Sequence, residues 1–248
     1  DVTMDLQPSY DILCSYENLE LAFKKARRGK TLKLYVIEFE QNLKANLMML
    51  RNELLSHTYK PRPLETFIIR DPKTRKINKS HFRDRVVHHA LCNVIEPLFD
   101  MKFIFDNYAN RIGKGAFKAI ERFDDFKGKV SRNNRRIAYI LKADIKHYFD
   151  TVNHAILMSI IKRTIKDQNI LGLIETILSI HNTTEKGKCM PLGNLTSQFL
   201  ANVYLNELDQ FIKHILKAKY YIRYVDDFVV LDSSKEMLEK YREKIDNF

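Results

Sequence analysis

Leu43, Leu47, Leu50 and Leu54 recur every three or four residues, the spacing of one buried helix face, and predict a helix over 39–56. A shorter helix is expected near 17–28. Val86, Val87, Ala90, Leu91, Val94 and Leu98 follow the same period and predict a helix over 83–99 with these residues inward. Further helices are expected near 115–126, 154–165 and 168–180, and a charged one from Lys235 to Lys244. A helix capped by Thr196 or Ser197 should carry Leu200, Val203, Leu208, Phe211, Ile212 and Ile215 on its apolar side. Elsewhere the pattern shortens to strand-like runs. Residues 64–77 read as strand-turn-strand, with Phe67, Ile68 and Ile69 in the first arm. Tyr139–Ile145 reads as a buried strand. Tyr220-Tyr221-Ile222 and Phe228-Val229-Val230-Leu231 read as two strands joined by a hairpin. No repeat or low-complexity tract interrupts them, and the class is α+β.

The candidate chemistry lies where these strands end. Asp226 and Asp227 share the predicted hairpin tip, and Asp144 closes the Tyr139–Ile145 strand. Adjacent carboxylates repel unless a cation neutralises them, and an all-oxygen site near phosphates suits magnesium. Carboxylates converging from separate strands are what two-metal phosphoryl transfer requires. Nucleotidyl transfer is therefore the first hypothesis, with one metal lowering the pKa of a primer 3′-hydroxyl and the other holding a triphosphate. Phe149, five residues beyond Asp144, could wall a sugar pocket. The plain alternative is a solvated acidic pair, which is how Asp124-Asp125, set between Phe123 and Phe126 on a predicted helix, is read. A third element is Met190-Pro191-Leu192-Gly193-Asn194-Leu195-Thr196-Ser197-Gln198, a turn leading into a helix N-terminus, where backbone N–H groups can meet a base pair or phosphate.

In order and spacing, the Asp144 strand, the Gly193 loop and the Tyr224-Val225-Asp226-Asp227 hairpin resemble the palm of a reverse transcriptase. The resemblance reaches upstream through Pro72-Lys73-Thr74-Arg75 and Phe82-Arg83-Asp84-Arg85, which look like the family's fingers, and through Asn107-Tyr108-Ala109-Asn110-Arg111, covering roughly 60–235. It implies fingers and palm, with an N-terminal extension and fingers over 1–135 and a palm over 136–248. It implies Asp144, Asp226 and Asp227 as catalytic residues and, with the Ile145 backbone carbonyl, as ligands of two Mg2+ ions, Mn2+ substituting. Lys73 and Arg75 would clamp the incoming dNTP, Phe149 would exclude a 2′-hydroxyl, and Leu192, Gly193 and Gln198 would line the nucleotide. The partners implied are template RNA, a primer and the cDNA duplex.

Most members carry Gln-Gly and end this loop in Ser-Pro. Here Leu192-Gly193 ends in Ser197-Gln198, a pattern similar to reverse transcriptases of bacterial and phage diversity-generating retroelements. Those enzymes misincorporate at template adenines and work with a small basic accessory protein. Leu192 in place of glutamine implies looser base selection. Group II intron, retron and phage-defence enzymes are the competing subgroups. The family continues into a helical thumb, whereas this sequence ends at Phe248 and starts at Asp1, so the expectation is a thumbless fingers–palm fragment. A nucleic-acid-binding fragment inactive without its thumb is the second hypothesis.

Composition agrees with a polyanionic partner. The 248 residues carry a formal charge of +11, with a pI near 9.4. Lys60 to Arg85 holds nine basic residues against three acidic ones. The Lys24–Lys30 cluster is read as a solvated face. Cys14, Cys92 and Cys189 match no zinc spacing and read as reduced, mostly buried thiols of a cytoplasmic protein. His88 and His89 are adjacent on a helix, point about 100° apart, and read as structural. No apolar run approaches the ~20 residues of a membrane span and no signal peptide is visible, so no membrane partner is expected.

Overall fold

The computed structural model describes residues 8–71, 74–180, 187–191 and 193–248. Its elements run α1 (Tyr10–Leu13), α2 (Tyr16–Ala26), α3 (Leu34–Gln41), α4 (Leu43–Leu55), β1 (Glu65–Ile69), β2 (Arg75–Lys79), α5 (Phe82–Asp100), α6 (Ala116–Ser131) and β3 (Tyr139–Asp144). There follow α7 (Tyr148–Thr151), α8 (His154–Lys162), α9 (Gln168–Ser179), α10 (Leu195–Gln210), β4 (Tyr220–Tyr224), β5 (Asp227–Asp232) and α11 (Lys235–Asp246). The α+β class holds. Contacts divide the chain into two units, 1–101 with 149–200, and 102–148 with 201–248. Among the described residues no helix is long and apolar enough to cross a membrane.

The first unit is built on α2 and α5. Ser15 caps α2 by accepting the Asn18 N–H at 3.2 Å. Phe23, Phe39 and Phe82 interlock, with ring centroids 5.3–6.1 Å apart. The single helix expected over 39–56 is two, because Asn42 leaves helical geometry at φ −119°, ψ 38° and divides α3 from α4. On α5, Val86, Val87, Ala90 and Leu91 are buried as expected, but Val94 and Leu98 are half-buried; Ile95 and Phe99 take the deep positions. Asp84 is buried at the first turn of α5, where its carboxylate accepts from the Tyr59 hydroxyl and the Arg62 N–H, each at 2.9 Å.

β1 and β2 form an antiparallel hairpin with Ile69 opposite Arg75. A polar seam ties the Gly193 loop to β2. Asn194 Oδ1 accepts from the Ser80 N–H at 3.1 Å and the Ser80 hydroxyl at 2.6 Å, and its Nδ2 donates to the Asn78 carbonyl at 3.3 Å. Gly193 lies against β2 at φ +109°, and a Cβ there would stand 2.7 Å from Ile77 Cγ2. The helix after it begins at Leu195, and the Gln198 N–H bonds the Asn194 carbonyl at 3.3 Å. Asn194 therefore holds the position expected for Thr196 or Ser197, which lie buried inside the first turn.

The second unit holds a three-stranded antiparallel sheet in the order β3-β5-β4. Ile222 and Leu231 pack with Tyr108, Phe126 and Val130, which brings α6 against the sheet. Asp124 and Asp125 sit on α6 in ion pairs with Lys127, Lys129 and Arg122, the solvated pair expected. The strand 139–145 is not buried. β3 is an edge strand with alternating half-buried and exposed residues, since β5 takes the centre. Past α10 the chain makes a π turn over Phe211–Ile215, closed by Leu216 N–H to the Phe211 carbonyl at 2.9 Å. The wider turn breaks the helical period, and Ile215, expected inward, is 69 % exposed.

His88 is 2 % exposed, and neither ring nitrogen has a hydrogen-bond partner among the described residues. Burial, with His89 and Arg85 nearby, lowers its pKa from 6.5 to about 3. The unfolded chain takes up a proton as pH falls through 6.5 and the folded chain does not. This contribution to stability is therefore complete above 6.5 and is lost as pH falls towards 3, by about 2 kcal/mol at pH 5. Urea unfolding should show a larger drop from pH 7 to pH 5 in the wild type than in His88→Leu; equal drops would exonerate His88. Gly193→Ala combines a left-handed backbone with the Ile77 clash and should cost about 1–3 kcal/mol. Adding Ile77→Ala should recover only the steric share. A Gly193→Ala chain as stable as wild type would contradict the close approach.

Candidate active site

Three carboxylates meet at one end of the second unit's sheet. Asp144 is the last residue of β3 and stands directly opposite Asp227, the first residue of β5. Tyr224 pairs with Asp227, so Val225 and Asp226 form a two-residue hairpin turn. Ligand oxygens of Asp144, Asp226 and Asp227 all lie within 4.8 Å of one another, with Asp226 half-buried and the others exposed. The Ile145 N–H reaches the Asp226 carbonyl at 3.4 Å, joining the chain beyond β3 to the turn. Three close carboxylates offering only oxygen are the donor set of a hard divalent cation. The residues thus fit the metal site that the sequence implied.

The turn is held from beneath. Val225 adopts φ 56°, rare for a β-branched residue. Its carbonyl accepts from Arg223 Nη1 at 2.8 Å. The Arg223 side chain is wholly buried and grips Asp209 on α10 at both ends, Nε to Oδ1 at 2.7 Å and Nη2 to Oδ2 at 2.6 Å. Nη1 also donates to Asn202 Oδ1 at 3.1 Å, Asn202 Nδ2 donates to the Ala109 carbonyl at 2.7 Å, and the Tyr221 hydroxyl donates to Asp209 Oδ1 at 2.7 Å. Burial opposes the Arg223 charge, but Asp209 with its hydrogen bonds, aided by Tyr221 and Tyr148, outweighs it and raises the pKa.

Arg223, Asp209 and Asn202 were missed from sequence. The signal was available: one arginine inside the apolar run Tyr220–Tyr224, and one aspartate on the apolar helix preceding it. Opposite charges stranded in two apolar segments must find each other.

Arg75, Phe149, Gly193 and Gln198, also expected at the site, belong to the first unit. Arg75 opens β2 and is exposed. Phe149 lies in α7, half-buried, and its carbonyl accepts the Met190 N–H at 2.6 Å. With Cys189 N–H to the Val152 carbonyl at 3.1 Å, this draws the Phe149 segment and the approach to Gly193 together. Gln198 is exposed on the first turn of α10. Lys73 and Leu192 lie outside the described residues. Cys14 and Cys92 are buried and Cys189 is half-buried, and none of the three is in a disulfide.

The reverse transcriptase (RNA-dependent DNA polymerase) family model matches residues 69–248. Protein YkfC of Escherichia coli (strain K12) is 27 % identical over 246 residues, covering 83 % of this chain and 64 % of its own length. The group II intron-encoded protein LtrA of Lactococcus lactis subsp. cremoris is 27 % identical over 173 residues, covering 66 % of this chain and 27 % of its own. The chain thus spans less than two thirds of these relatives. Among solved structures, a partial Cas6-RT-Cas1–Cas2 complex shares the fold with TM-score 0.54 at 20 % identity, over 96 % of this chain and 42 % of that one. A telomerase from Candida tropicalis does so with TM-score 0.51 at 13 % identity, over 78 % and 49 %. With the family model extending from the end of β1 through all three carboxylates, the chain belongs to the reverse transcriptase family.

Proposed function

We propose that this chain carries the fingers, to about residue 135, and the palm, from about 136, of an RNA-directed DNA polymerase that copies an RNA template into cDNA. The convergence of Asp144, Asp226 and Asp227 within 4.8 Å carries this reading. These carboxylates, with the Ile145 carbonyl, would hold two Mg2+ ions, and Mn2+ could replace them. Bound there, the ions would activate a primer 3′-hydroxyl and neutralise charge developing on the triphosphate. Arg75 offers a planar guanidinium able to grip phosphate oxygens in pairs, and Lys73 a point charge. Phe149 would exclude a 2′-hydroxyl, and Leu192, Gly193 and Gln198 would line the nascent base pair. A cavity of about 450 Å³ in the first unit, lined by Lys30, Lys33, Lys79 and Arg85 around Tyr35, supports contact with a nucleic-acid strand. The protein would act in the cytoplasm on template RNA, primer and dNTPs.

Within the family, the Leu192-Gly193 to Ser197-Gln198 pattern supports an error-prone enzyme of a diversity-generating retroelement, working with a small basic accessory protein. Similarity to the intron-encoded LtrA favours a second reading, a group II intron-type enzyme.

Asp144→Asn and Asp226→Asn in the full-length protein should each abolish primer extension on poly(rA)–oligo(dT) with Mg2+ while leaving the unfolding midpoint nearly unchanged. Near-wild-type extension by either variant would remove the catalytic assignment. Sequencing cDNA made on an adenine-rich RNA separates the two subgroup readings. The retroelement reading expects errors concentrated opposite adenine, altered by about tenfold in Leu192→Gln, equivalent to about 1.4 kcal/mol of discrimination. Faithful copying that Leu192→Gln leaves untouched would favour the intron-type enzyme.

A further inference from the structure

We propose that Arg223 is a positioning residue: its buried pair with Asp209 fixes the Val225-Asp226 turn so that the Asp226 carboxylate meets those of Asp144 and Asp227. The proposal rests on the reading of these carboxylates as a divalent-metal site.

The geometry divides the guanidinium into two working ends. Nε and Nη2 are committed to the two oxygens of Asp209, which locks the plane of the group against α10. That leaves Nη1 pointing along the strand, where it bonds both Asn202 Oδ1 and the Val225 carbonyl two residues on. The Val225 carbonyl belongs to the peptide group whose nitrogen is that of Asp226. Any swing of this peptide therefore moves the carboxylate. A β-branched residue at φ 56° resists that conformation on its own, so the turn needs an outside hold. Arg223 supplies it from a site that is 0 % exposed and cannot itself touch substrate. Its backbone is pinned as well, since its N–H donates to the Asp106 carbonyl at 3.0 Å and its carbonyl accepts the Tyr108 N–H at 3.0 Å.

A pair serving only the fold makes a different forecast from a pair aiming the turn. A buried ion pair can often be exchanged for apolar side chains of similar volume with little loss of stability. The decisive variant is Tyr221→Phe/Asp209→Leu/Arg223→Met, which removes both charges and the hydroxyl that would otherwise lose its acceptor. In the full-length protein it should unfold near the wild-type midpoint. Amide exchange across Val225–Asp227 should quicken at least tenfold, and Mn2+ titrated against the protein alone should bind about 10–100-fold more weakly. Primer extension should lose kcat while the KM for dNTP stays within about threefold. Arg223→Lys, which keeps the charge but lacks the fork, should show the same changes in milder form.

A folded triple variant with wild-type exchange and Mn2+ affinity would overturn the proposal. So would unfolding of both variants, which would make the pair a support of the fold rather than of the turn. If the wild type binds Mn2+ with the expected dependence on Arg223 but extends no primer, the polymerase reading fails and the positioning role stands.

Discussion

The buried pairing of Arg223 with Asp209 is the interaction on which the second unit turns. Taking two charges out of water costs several kcal/mol each, and their attraction roughly repays it only with full hydrogen bonding. Here the repayment is thorough: Asp209 accepts three hydrogen bonds, and three guanidinium nitrogens donate to Asp209, Asn202 and Val225. Such a pair adds little net stability, yet losing one partner leaves a naked charge, at about 3–5 kcal/mol. It therefore specifies one arrangement of α10, β4 and the turn. Asn202 carries the specification on to the segment at Ala109.

The first unit uses uncharged groups for a similar purpose. Asn194 meets the C-terminal end of β2 through both atoms of its amide, and Gly193 lets the loop backbone lie against Ile77 where any side chain would intrude. The Phe149 segment reaches the same loop through backbone bonds to Cys189 and Met190. Residues distant in sequence are thus held in one network by groups whose hydrogen bonds leave little slack.

Helix periodicity and strand composition carried much of the fold. The amphipathic faces of α5, α8 and α9 and the arms of both hairpins lie close to where the residue pattern put them. What escaped was set by tertiary context. Asn42 ends a helix that leucine spacing alone would continue. The apolar run of β3 reads like a central strand, but edge or centre depends on which strand pairs on both sides. The π turn that exposes Ile215 leaves no mark in a period count. Of the site, the three carboxylates were legible because acidic residues at strand ends are conspicuous. Arg223 and Asp209 were visible only as charges in apolar surroundings, and with Glu207 on the same helix the sequence does not say which carboxylate the arginine meets.

The order of the strands has a consequence for how the site comes into being. β4 and β5 are neighbours in sequence joined by a two-residue turn, so they can pair within microseconds of leaving the unfolded state. β3 precedes them, with the whole segment Phe149–Leu200, which belongs to the first unit, in between. Bringing Asp144 opposite Asp227 closes that long loop, a step whose entropy must be met before any contact rewards it. On a ribosome, Asp144 emerges first and waits. The carboxylates can come together only after β5 has been made.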